Sequence, residues 1–101
     1  MAFSVAMLRS AQREYEDIVG YLSDVLQSPA AARGFADEFD HQLDLVRDNP
    51  RLYGLSRMPE LAARGYRAFF VKRYIVLYKV SDGRVVVAHI FHQTQDYARL
   101  V

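Results

Sequence analysis

Three features of this 101-residue chain predict an α+β domain: two amphipathic helical stretches in its first half, three β-rich stretches in its second, and an Asp-Gly turn signal between the last two of these. The expected layout is an N-terminal strand, a two-helix hairpin, and then a three-stranded antiparallel meander packed on the helices. At 51% hydrophobic and 25% charged residues, a chain of this length suits one domain, residues 1–101, with a modest core.

The elements follow in order. Phe3, Val5 and Met7 alternate with Ser4 and Ala6, the period of a short strand. Ser10 is placed to cap the helix that follows, in which Ala11, Tyr15, Ile18, Leu22 and Val25 recur at three- and four-residue intervals, about four turns. Gln27-Ser28-Pro29 stops that helix and starts the next, since proline fits a first turn and Ser28 caps the free N–H groups. Ala32, Phe35, Phe39, Leu43 and Val46 make the apolar stripe of the second helix, which Asn49-Pro50 ends because the residue before proline leaves the α region. Residues 51–65 read as irregular or briefly helical. Residues 66–71, 74–80 and 84–91 are rich in β-branched and aromatic side chains. Lys72-Arg73 and Ser81-Asp82-Gly83 are short enough to join them as hairpins. Residues 96–101 suit one helical turn or a strand end. Both helical stripes need burial, so one face of the sheet takes the two helices.

Composition narrows the chemistry. With no cysteine, disulfides, iron–sulfur clusters and thiolate zinc sites are excluded, and a reducing cytoplasm is the expected compartment. No apolar run approaches a bilayer span, and MAFSVAML is too short and uncharged for a signal peptide, so a soluble protein away from membranes is expected. The formal charge of +1 hides a division: residues 1–50 carry four Lys/Arg against nine Asp/Glu, a net of −5, and residues 51–101 carry nine against three, a net of +6. Such asymmetry suits a surface that meets a polyanion or an acidic protein, and equally an acidic helical pair beside a basic sheet.

The C-terminal stretch HIFHQTQDYARLV gathers the titratable groups. Residues three apart on a strand point to opposite faces, so His89 and His92 do not converge on a metal, and His41 stands alone. No metal and no cofactor are expected. His92, at a strand end, has the ordinary imidazole chemistry for proton transfer, and Tyr97 for hydrogen bonding or stacking; plain exposure explains both as well. No Ser-His-Asp set, P-loop or Gly-rich dinucleotide turn can be assembled. Arg64, Arg67, Lys72, Arg73 and Arg84 are interleaved with Tyr66, Phe69, Phe70 and Tyr74, a pattern that suits an RNA backbone, although strand aromatics also build cores.

Taken in order, the short strand, the helical hairpin ending in NPRLYG, GYR at 65–67, Tyr74 and Tyr78 on one strand, the Asp-Gly hairpin and the closing His92-to-Tyr97 segment resemble the RelE/ParE superfamily of bacterial type II toxins, also called plasmid stabilization proteins. The resemblance runs over nearly the whole chain. It implies a growth-arresting toxin neutralised by a cognate antitoxin in a hetero-oligomer, with either DNA gyrase or the ribosome and its mRNA as target. In the ribonuclease branch, a ribosome-dependent mRNA interferase, the resemblance implies His92, Tyr97 and Arg67 as candidate catalytic residues. Arg64, Lys72, Arg73 and Arg84 become candidates for holding the target or the antitoxin. The chain departs from that branch at two places where a cation is expected, Ile75 and the stretch after the last strand that holds Gln93 and Gln95, and their loss weakens transition-state charge stabilisation. The departures favour the ParE-like branch, which does not need that set.

Overall fold

The computed structural model describes residues 3–101. The elements are β1 (Ser4–Met7), α1 (Arg9–Gly20), a π-helical turn (Tyr21–Val25), α2 (Pro29–Asp48), α3 (Pro59–Ala63), β2 (Arg67–Val71), β3 (Tyr74–Ser81), β4 (Arg84–His92) and a 3-10 turn (Tyr97–Arg99). The sheet runs β1-β4-β3-β2. The β2–β3–β4 meander is antiparallel as expected, and β1 pairs with β4 in parallel, making the sheet mixed.

Capping explains where the helices begin. Ser28 accepts a hydrogen bond from the Ala31 N–H, and Pro29 opens α2, as the sequence predicts. All five stripe residues of α2 are buried. At α1 the expectation needs correcting: Leu8 occupies the cap, and Ser10 lies inside the first turn, where its hydroxyl donates to the Ala88 carbonyl at 2.8 Å. The helix also ends earlier than its periodicity suggests. After Gly20 the chain widens into the π turn, and Val25, expected in the stripe, is 67% exposed.

The main core lies between the helices and one face of the sheet. Phe35, Phe39 and Val46 meet Phe69, Val76, Tyr78, Val85, Val87 and Ile90, and Tyr15 packs its ring 5.6 Å from Phe35 and 5.0 Å from Phe39. Each large side chain fully buried there contributes roughly 1.5–3 kcal/mol. The opposite face is covered too, which the sequence did not announce. Leu61 of α3, Tyr66 and Tyr97 close over Ile75, Leu77, Ala88 and Phe91 in a second, smaller core.

Two local features set which side chains face which core. The turn between β3 and β4 has positive φ at both Asp82 (50°) and Gly83 (75°), the geometry an Asp-Gly pair adopts in a tight hairpin. In β4, His89 lies opposite Leu77 and Val87 opposite Tyr78, so Ala88 is an extra residue, a β-bulge. Beyond β1, helix α1 takes over the free edge of β4. The Leu8 N–H donates to the Val87 carbonyl, and Glu14 accepts from the Ile90 N–H at 2.9 Å while its other oxygen lies 3.1 Å from His89 Nδ1.

Candidate functional site

A groove of about 780 Å³ opens where the end of α1, the start of α2 and the β2–β3 turn meet. Local backbone makes it. Leu22 of the π turn and Leu26 just after it line one wall, Gln27 turns the chain at φ 50°, and the small residues Ala30, Ala31 and Gly34 keep the first turns of α2 low. Phe35 and Tyr74, in edge contact at 5.2 Å, line the inner end. Lys72 and Arg73 supply a cationic lip, held out by the left-handed Lys72 (φ 56°). Burial and the nearby Tyr21 phenol push the Tyr74 phenol above its ordinary range, so it is a neutral hydrogen-bonding group at physiological pH.

His92 closes one end of this groove. Its ring meets Tyr74 edge-on at 5.3 Å, and its Nδ1 lies 2.7 Å from Thr94 Oγ1 and accepts from the Thr94 N–H at 3.2 Å. In the neutral ring, an N–H donor aimed at Nδ1 selects the tautomer that carries its proton on Nε2. Gln95 and Gln93 hold the same loop, the first accepting from the His92 N–H and the second donating its N–H to the Arg73 carbonyl.

The remaining sequence-predicted residues lie elsewhere. Tyr97 is 7% exposed beneath the other face of the sheet, its ring parallel to Phe91 at 6.4 Å. His92 and Tyr97, five positions apart in sequence, thus point into different layers. Arg67 Nη1 donates to the Tyr53 carbonyl at 2.8 Å, and opposite Arg67 in the sheet the Tyr78 hydroxyl donates to the Pro50 carbonyl at 2.9 Å. Burial raises the Tyr78 phenol, and the Arg67 charge offsets part of that. Tyr53 in turn donates its hydroxyl to Gln42 of α2. These contacts tie residues 50–53 to the sheet and to α2. Arg64 lies on the second face, its guanidinium 5.3 Å from the centre of the Tyr66 ring, and Arg84 is exposed at the start of β4.

Two polar residues escaped sequence reasoning. Lys79 places its ammonium 4.4 Å from the centre of the same Tyr66 ring; strand alternation from Ile75 and Leu77 was the signal for its face. Glu14 lies between the apolar positions of α1, and the i,i+4 spacing from Ser10 was the one sign that both would address one strand edge. Among the described residues no three His, Asp or Glu side chains are grouped to hold a metal ion, and no helix is long and apolar enough to cross a membrane.

Comparison with known proteins fits this geometry. Residues 5–97 match the family described as ParE toxin of type II toxin–antitoxin system, parDE. Among solved structures, a chain of the chromosomal ParDE toxin–antitoxin system from P. aeruginosa is similar at TM-score 0.71 and 17% identity, covering 90% of this chain and 96% of that one. A chain of the toxin–antitoxin complex RelBE2 from Mycobacterium tuberculosis is similar at TM-score 0.57 and 24% identity, over 94% of this chain and 95% of that one. None of the curated proteins matches. The chain belongs to the ParE toxin family of type II toxin–antitoxin systems.

Proposed function

For this member of the ParE toxin family we propose that growth arrest comes from binding to DNA gyrase in the bacterial cytoplasm, held off by a cognate antitoxin in a toxin–antitoxin hetero-oligomer. The observation that carries this reading is the separation of the candidate catalytic groups. A ribonuclease needs an acid, a base and cations around one phosphate. Here His92 ends the groove on the helix side, Tyr97 is buried under the opposite face, and Arg67 is engaged with the Tyr53 carbonyl. Ile75 is 4% exposed within the second core, and Gln93 and Gln95 bring no charge. A protein that acts by surface recognition has no need of a converged set.

The groove suits the antitoxin. Its apolar walls fit the hydrophobic side of an amphipathic segment, and Lys72 and Arg73 fit acidic residues along that segment's edge. Durable inhibition requires roughly 1,200–2,000 Å² of buried surface, so the segment extends well beyond the groove. Reversing both cations to glutamate is expected to weaken antitoxin binding at least tenfold by calorimetry; unchanged affinity removes this assignment. The activity itself is tested by gyrase supercoiling with the purified chain, beside primer extension on translated mRNA. Blocked supercoiling with intact mRNA supports the reading. Cleaved mRNA with normal supercoiling overturns it in favour of a ribosome-dependent endoribonuclease, and His92→Ala and Tyr97→Phe then become the test of catalysis.

A further inference from the structure

The cations singled out in the sequence do not share one surface. Lys72 and Arg73 border the groove on the helix side, whereas Arg64 lies on the opposite face with Lys79. Both latter groups sit within about 5 Å of the same ring centre, so their charges are no more than about 10 Å apart. Arg84 extends the cluster. It pairs with Ser81, two positions along β3 from Lys79, and strand alternation therefore puts Arg84 on the Lys79 side. Among the described residues the Lys/Arg ion pairs are Arg47 with Asp44 and Arg99 with Asp96, which leaves these three cations without a carboxylate partner; Glu60 and Asp82, the nearest acids in sequence, pair with none of them.

We propose that Arg64, Lys79 and Arg84 form a second binding surface, distinct from the groove, for the phosphate backbone of duplex DNA. The surroundings favour that ligand over others of like charge. Tyr66, the aromatic between two of the cations, is 7% exposed, so it offers no stacking platform for unpaired bases. The second cavity, at the β2 edge, is lined from both cores by Tyr53, Phe69, Phe70, Ile75 and Tyr97 and does not include the three cations, so an acidic amphipathic peptide finds no apolar trough beside them. What remains is fixed positive charge on a sheet face, which suits a rigid array of phosphates.

The test is fluorescence anisotropy of a labelled random-sequence DNA duplex against the free full-length chain across a salt series, with gyrase absent. Its failure therefore leaves gyrase inhibition standing, and failure of the supercoiling assay leaves this surface standing. Three phosphate contacts predict a log–log salt slope of about −2.7, and Arg64→Gln/Lys79→Gln/Arg84→Gln is expected to abolish most of it. Arg84→Glu alone lies away from Tyr66 and is expected to reduce the slope magnitude by about one, so the proposal stays testable should the triple variant unfold. Arg33→Gln, which removes one exposed charge from α2 on the other side of the sheet, controls for net charge. No duplex binding at low salt, or an unchanged slope in Arg84→Glu, overturns the proposal. Tighter binding of single-stranded RNA than of duplex overturns the choice of ligand.

Discussion

On one face of the sheet, the long helix α2 presses a continuous stripe of Phe35, Phe39 and Val46 onto Val76, Tyr78 and Ile90, with Ala11 and Tyr15 of α1 beside it; on the other, Leu61, Tyr66 and Tyr97 come from a five-residue helix, a loop position and a three-residue turn. The contrast teaches how cover relates to function. A helix pair supplies cover that is periodic and cooperative, and the groove opens only where that cover ends, at the π turn. Short segments close over the second face with less, and its cations border that cover, Arg64 and Lys79 against the Tyr66 ring and Arg84 exposed at the start of β4. Both candidate surfaces are therefore margins of a core.

The comparison can be broken most directly in the cores. Phe35→Ala removes the ring that links Tyr15, Phe39 and Tyr74 and is expected to cost about 3–5 kcal/mol in urea unfolding. Leu61→Ala, equally buried, is expected to cost only about 2–3 kcal/mol, because a short helix can settle into the space. Equal losses would mean that the second face is as rigid as the first. At the rim where α1 meets β4, Glu14→Ala strips the Ile90 N–H of its acceptor and is expected to cost about 1–3 kcal/mol, with faster amide exchange at Ile90.

The two hairpin turns sharpen the contrast further. Lys72 holds a left-handed φ without being glycine, so Lys72→Gly is expected to stabilise by up to ~1 kcal/mol while weakening antitoxin binding; Gly83→Ala is expected to destabilise by a similar amount, about 1 kcal/mol. A destabilised Lys72→Gly would show that the left-handed turn is not strained.

The smallest effect is on pH. Burial raises the phenols of Tyr15, Tyr74 and Tyr78, all packed on the helix face, above the ordinary value of 10.0. The native state then holds protons that the unfolded chain releases, so stability is full below pH 10 and falls as pH rises through the raised native values. Urea midpoints at neutral pH and above pH 10 check this. Tyr78→Phe is expected to flatten the decline; an unchanged alkaline slope would place its origin in the other two phenols.

These differences also explain what could be read in advance. The α2 stripe was legible because helical period and burial are the same information, and the meander because Asp82-Gly83 and the two-residue link at Lys72-Arg73 enforce hairpins. The parallel partner of β1 was not, since alternation says that a strand exists and nothing of its neighbour. The second core stayed hidden because Leu61, Tyr66 and Tyr97 follow no period. For the sites, residue types were legible and their grouping was not. His92 and Tyr97 lie within one short motif, yet a strand end and a 3-10 turn send them to opposite layers; Lys72 and Arg84 lie on one basic half, yet border different faces.

The extra residue at Ala88 bears on how this family should be aligned. Because Ala88 stands outside the regular ladder, deleting it would leave Ile90 and His92 facing the helices, now in unbroken alternation with Val87. A gap at this column is neutral to the placement of His92. A one-residue length change between His89 and His92 is not, because it transfers the imidazole to the opposite surface with no substitution at all. Two homologues sharing a histidine in that column therefore share its surroundings only if they agree in the count of residues after the bulge.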